Sequence, residues 1–140
     1  MRVEQFSPDD PREWLNRARS NLAKARGISG IPEVYLEDLC FDAQQAAEKA
    51  IKAALIHLGV RFPYVHDLAQ LLALVERAGQ NVPESIRRVA SLSGYAVESR
   101  YPGLSEPVTQ EEYEEAIAIA EETVHWAQGV VSQPAIGKAT

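Results

Sequence analysis

The stretch Leu36-Glu37-Asp38-Leu39-Cys40-Phe41-Asp42-Ala43-Gln44-Gln45-Ala46-Ala47-Glu48-Lys49-Ala50-Ile51-Lys52-Ala53-Ala54-Leu55-Ile56-His57-Leu58 decides the fold. Leu36, Cys40, Ala43, Ala47, Ala50, Ala54 and Leu58 recur in steps of four and three, which places them on one face of a helix. Phe41, Ile51 and Leu55 begin a second apolar stripe beside it. The spacing predicts one helix from Glu33 to Leu58, about 39 Å long at 1.5 Å per residue, stopped by Gly59. The alanine-rich stripe lets another helix approach closely. Two apolar faces on one rod call for two partners, both within the chain or one across a dimer interface.

Upstream, Asp10, Pro11 and Glu13 read as N-cap, first helical residue and capping-box glutamate. The helix they open runs to about Arg26, with Trp14, Leu15, Ala18, Leu22 and Ala25 along one side. Gly27 and Gly30 end it, and Pro32 opens the long rod. Downstream, Val60 to Val65 form a loop. A third helix spans about His66 to Ala78, with His66 placed to cap it, Leu68, Leu71, Leu72 and Val75 buried, and Gly79 ending it. A fourth starts near Pro83, buries Ile86, Val89 and Ala90, and stops around Ser93 and Gly94. After the long loop Gly94–Val108, Thr109 and Glu112 form a capping box for a last helix. Its apolar line is Tyr113, Ala116, Ile117, Ala120, Val124 and Ala127, and it frays after Gly129. No segment reads as a strand. Long amphipathic helices on short connections specify an all-α, up-and-down bundle of four to five helices. The bundle covers residues 1–130, with 131–140 as a flexible tail.

A chain of 140 residues is about one domain long. No apolar run reaches the roughly 18 residues needed to span a bilayer, and the N-terminus has no signal-peptide core, so a cytoplasmic location is expected. One cysteine, Cys40, permits neither an internal disulfide nor a multi-cysteine metal site. The net charge of −6 is unevenly placed. Residues 1–100 hold 13 Lys or Arg against 13 Asp or Glu, and residues 101–140 hold one base, Lys138, against seven acids. A protein gripping long nucleic acid by its phosphates would be basic. A local site in the neutral part stays compatible with the sequence.

Cys40-Phe41-Asp42-Ala43-Gln44-Gln45-Ala46-Ala47-Glu48-Lys49-Ala50-Ile51-Lys52-Ala53 resembles the signature helix of the HEPN family. Gly59, Phe62-Pro63 and His66-Asp67-Leu68 follow it as they do there, and Arg100-Tyr101-Pro102 resembles the family's later Arg-Tyr-Pro element. The resemblance covers about residues 11–130. It implies a helical bundle, commonly a homodimer, linked to nucleotides or RNA. Some members pair with a minimal nucleotidyltransferase, and others are RNA-cleaving toxins.

The nuclease branch uses an arginine followed, after four to six residues, by a histidine. Histidine takes the proton of an attacking 2′-hydroxyl while arginine holds the phosphate charge, without a metal. Arg100 has Ser105, Glu106 and Pro107 at those offsets, and Arg87 and Arg88 also lack a histidine. Only Arg61 and His66 match the spacing, earlier in the chain than the family's motif. The expectation is therefore a HEPN protein without its own catalysis, binding a nucleotide or partnering a nucleotidyltransferase. The alternative is a metal-independent endoribonuclease toxin of a toxin–antitoxin pair.

Six residues are candidate ligand contacts. Arg100 and Tyr101 could clamp a phosphate and stack a base; alternatively Tyr95 and Tyr101 seal the bundle end while Arg100 pairs with an acid. Lys49 and Lys52 are candidate phosphate contacts, with Gln44 or Gln45 bonding a base. Alternatively these residues and Glu48 form a solvated or dimer-facing side, with Glu48 and Lys52 as an ordinary four-residue pair. His57 and His125 have no second ligand at metal spacing, so no metal and no cofactor are assigned. Trp14 and Trp126 suit packing or an interface, Cys40 an inert buried thiol. The acids Glu111, Glu112, Glu114 and Glu115 suit a solvated first turn or a basic partner.

Overall fold

The computed structural model describes residues 3–27, 31–98 and 107–134. Its order is α1 (Pro11–Gly27), α2 (Leu36–His57), α3 (Leu68–Arg77), α4 (Glu84–Arg87), a 3₁₀ turn (Arg88–Leu92), α5 (Tyr95–Glu98) and α6 (Gln110–Val131). Among the described residues there is no strand, as the sequence predicts. No helix among them is long and apolar enough to cross a membrane.

α2 is the axis of the bundle. α1 and α6 pack along it and against each other, and α3, the 3₁₀ turn and α5 close around its remaining sides. Ala43, Ala46, Ala47, Ala50, Ala53 and Ala54 have no accessible surface, nor do Ile51 and Leu55. A methyl side chain lets two helix backbones close on the rod from opposite sides. The two apolar stripes thus find both partners within one chain.

Several boundaries differ from the sequence reading, each for a local reason. Val34 N donates to Ile31 O (3.0 Å), a turn that occupies Pro32 and Glu33, so α2 starts at Leu36 after an extended Tyr35. Asp10 caps α1 through Arg12 N (2.9 Å), but Glu13 closes no box with it. Its Oε1 instead accepts from Phe6 N (2.9 Å) and pins the segment before the helix. Asp67, not His66, caps α3, accepting from Ala69 N and Gln70 N. The single expected fourth helix is split into α4 and the 3₁₀ turn, with α5 inside the expected long loop. On α6 the Thr109–Glu112 capping box is present. Ile119 rather than Ile117 is buried, and the helix passes Gly129 to end at Val131. Gly59 (φ +75°) and Gly79 (φ +92°) end α2 and α3 in the left-handed region that glycine enters without steric cost.

The largest departure concerns the polar side of α2. Gln44, Glu48 and Lys52, one turn apart in succession, are 0%, 4% and 5% exposed. They form a charged row inside the bundle, not a solvated face. Glu48 is its hub. Oε1 accepts from Gln44 Nε2 (2.9 Å) and meets His66 Nδ1 (2.8 Å), and Oε2 accepts from Lys52 Nζ (2.9 Å). The chain from 59 to 67 crosses this row as a strap. Its Phe62 and Tyr64 rings, with Trp14 of α1, lie 5.4, 5.8 and 5.9 Å from the buried Lys52 ammonium, within cation–π range; the Tyr64 ring itself is exposed to solvent. Phe62 also meets Trp14 edge-on at 6.1 Å. Burial alone pushes the Glu48 carboxyl up, but the bonds from Lys52, His66 and Gln44 outweigh it and hold the group below its ordinary value.

Two stability outcomes follow from this core. Ala50→Leu forces extra methylenes into a fully enclosed site and should lower unfolding free energy in urea by about 1–3 kcal/mol. Glu48→Gln leaves Lys52 charged, buried and without its carboxylate, and should cost about 3–5 kcal/mol. The depressed Glu48 value means that its contribution is complete above the ordinary glutamate range and fades as pH falls through the native value. Urea midpoints between pH 7 and pH 3 should therefore fall more steeply for the natural chain than for Glu48→Gln.

Candidate functional site

Beside the strap, α1 and α2 form a second polar arrangement, open to solvent. Glu13, Arg17, Asn21 and Lys24 recur at steps of four, four and three, so they share one side of α1. Arg17 Nε donates to Glu13 Oε2 at 2.7 Å. Lys49 of α2 donates from Nζ to Asn21 Oδ1 (2.7 Å), and Asn21 Nδ2 donates to Asp42 Oδ1 (3.0 Å). Lys24 Nζ lies 3.2 Å from the same Asp42 oxygen. Each carboxylate thus already faces one cation. Lys49 is left with a neutral amide as its hydrogen-bond partner and has no carboxylate at ion-pair distance among the described residues. Burial is the first cause that lowers the Lys49 pKa; attraction to Glu48 and Asp42 opposes it, and repulsion from Arg17 and Lys24 adds to it.

At the end of this row lies a shallow groove of about 250 Å³ lined by Pro8, Glu13, Trp14, Arg17 and Lys49. Trp14 forms a fixed wall. Its Nε1 donates to Pro8 O (2.8 Å), and its ring is braced against Phe62. A rigid indole beside an ammonium with no ion-pair partner among the described residues can accept a planar ring against one and an anion against the other. The groove falls below the roughly 300 Å³ of pockets that enclose a ligand, so an occupant would lie across it.

Of the residues singled out in the sequence, Gln44 and Lys52 belong to the buried row, and Gln45 donates to Gln44 Oε1 (2.8 Å). Lys49 lies in the open groove. Arg100 and Tyr101 lie outside the described residues. Arg61 is exposed and forms no ion pair with another described residue, whereas His66 is 43% exposed and held by Glu48. Among the described residues no group of three or more His, Cys, Asp or Glu side chains could hold a metal ion. Cys40 is fully buried, and its thiol is pushed up to about 11 by burial. The sequence reading missed Arg17, Asn21, Lys24 and Asp42 as a group. The four-residue spacing on α1 was visible, but its alignment with Asp42 and Lys49 required the packing of α1 on α2.

The HEPN domain family matches residues 11–130. The structure is similar to that of ST0689, described as an archaeal HEPN homologue, with a TM-score of 0.71 and 28% identity over 88% of this chain and 98% of that one. It is also similar to TT1696 from Thermus thermophilus, with a TM-score of 0.72 and 32% identity over 86% of this chain and 97% of that one. A search of the curated proteins finds no match. With the family matched along nearly its whole length, the chain belongs to the HEPN family.

Proposed function

We propose that this HEPN domain binds a nucleotide across the Trp14 groove, its base against the indole and its phosphate against Lys49 and Arg17. The observation that carries this reading is the half-buried Lys49 ammonium, hydrogen-bonded to an amide and with no carboxylate at ion-pair distance among the described residues, beside an indole fixed by two contacts. Charge-assisted bonds to phosphate contribute more than neutral ones, and base–aromatic stacking tolerates every base. Both terms suit an open groove that recognises a nucleotide by its general form. Arg100 and Tyr101 are proposed as further contacts. In this reading the domain has no catalysis of its own and works as a cytoplasmic homodimer, either binding the nucleotide itself or acting as the helical partner of a nucleotidyltransferase.

A second reading, an endoribonuclease toxin, draws support from the Glu48–His66 contact. An ionised carboxylate can only accept, so the His66 nitrogen facing it, Nδ1, carries the proton. That contact leaves the other ring nitrogen, Nε2, on the side away from the buried carboxylate. A base so oriented suits abstraction of a 2′-hydroxyl proton, with Arg61 five residues upstream as a phosphate contact.

Titration of Trp14 fluorescence in a Trp126→Phe background should show quenching by AMP and ATP, and Lys49→Ala should weaken binding about tenfold, the loss of one charge-assisted contact. Absence of both quenching and heat of binding with AMP, ATP and GTP would remove the first reading. For the second, His66→Ala should abolish cleavage of single-stranded RNA in EDTA. RNA left intact by the natural protein would dismiss it.

A further inference from the structure

The cations between α1 and α2 form a line, not a cluster. Trp14 stands at one end, Arg17 and Lys49 follow, and Lys24 lies beyond them. Ten residues of α1 separate Trp14 from Lys24, a rise of about 15 Å. The Lys49–Asn21–Asp42–Lys24 hydrogen bonds and ion pair tie the far end to the near one. Among the described residues, Arg17, Lys24, Lys49 and Lys52 stand against Glu13, Asp42 and Glu48, so the seam and the row behind it together carry one surplus positive charge. Arg17 and Lys24 are 61% and 59% exposed, so both can turn toward a ligand without breaking core packing. Asp42 is 14% exposed and engaged by Asn21. A phosphate arriving at Lys24 competes with a carboxylate that has another donor to fall back on.

We infer that this seam reads the number of phosphates, selecting nucleoside di- and triphosphates over monophosphates, with Lys24 as the residue that meets the outer phosphate. The inference rests on the nucleotide reading of the Trp14 groove for the position of the base. A first phosphate reaches Lys49 and Arg17 beside the indole. Each further phosphate extends along α1 toward Lys24, adding negative charge where the seam has a surplus of positive charge. Because Lys24 is exposed and shared with Asp42, each step is modest, as expected of a solvent-screened pair.

The test is titration of the full chain, without magnesium, with AMP, ADP, ATP and inorganic tripolyphosphate at low and high salt. Affinity should rise roughly threefold per added phosphate, about tenfold from AMP to ATP, the gain shrinking at high salt. Lys24→Ala should erase the advantage of ATP, lowering ATP affinity about tenfold and AMP affinity far less. Equal affinities for AMP and ATP would overturn this inference and leave the nucleotide reading standing. An ATP advantage that survives Lys24→Ala would overturn it as well. Binding of tripolyphosphate that is lost in Lys24→Ala, without binding of any nucleotide, would keep the seam and remove the groove. Binding of none of the four would overturn both.

Discussion

Glu48 sits where a helix enclosed on nearly every side has the least room for a charge. A buried carboxylate is tolerated only when its acceptor positions are filled. Lys52 and Gln44 lie one turn away on either side, and the strap supplies His66. Much of the local architecture follows from this requirement. The strap must cross α2 at the height of Glu48. Its aromatic residues then fall over Lys52, and Trp14 of α1 is drawn against Phe62. A well-packed apolar row would be as stable or more so. Ions in its place favour the one strap position that satisfies them.

That internal row also gives the outer seam its character. With Lys52 committed to Glu48, the α2 lysine left facing the groove is Lys49, held by an amide instead of an acid. Bracing by the strap fixes the indole next to it. The two polar systems lie on adjacent sides of α2, one buried around Glu48, the other open to solvent. This contrast separates residues that hold the fold from residues available to a ligand. Membership of the HEPN family does not make that distinction, which depends on which side of each helix is covered.

Periodicity in the sequence was sufficient for the helices that bury continuous stripes. The alanine-lined α2, the face of α3 and the Thr109–Glu112 start of α6 all follow from local rules acting over three or four residues. Those rules erred where a distant group competed for the same atoms. Glu13 reads as half of a capping box, yet it is taken by Phe6 N and Arg17. His66 reads as a cap, yet it is taken by Glu48, eighteen residues earlier. Gln44, Glu48 and Lys52 read as a solvated face because polar residues at helical spacing are normally exposed, and no local pattern announces that a strap will cover them.

By itself the sequence determined the helical class, the central rod and the family, because helix spacing, caps and glycine stops are local properties, and the order of motifs can be read along the chain. Only the tertiary structure decided which polar side of α2 is buried, which α2 lysine has no carboxylate at ion-pair distance among the described residues, and that Arg17, Asn21 and Lys24 line up with Asp42 and Lys49. Those facts depend on the rotation of one helix against another. A shift of one residue turns an α-helix by about 100°, enough to exchange a sealed charge for an open one.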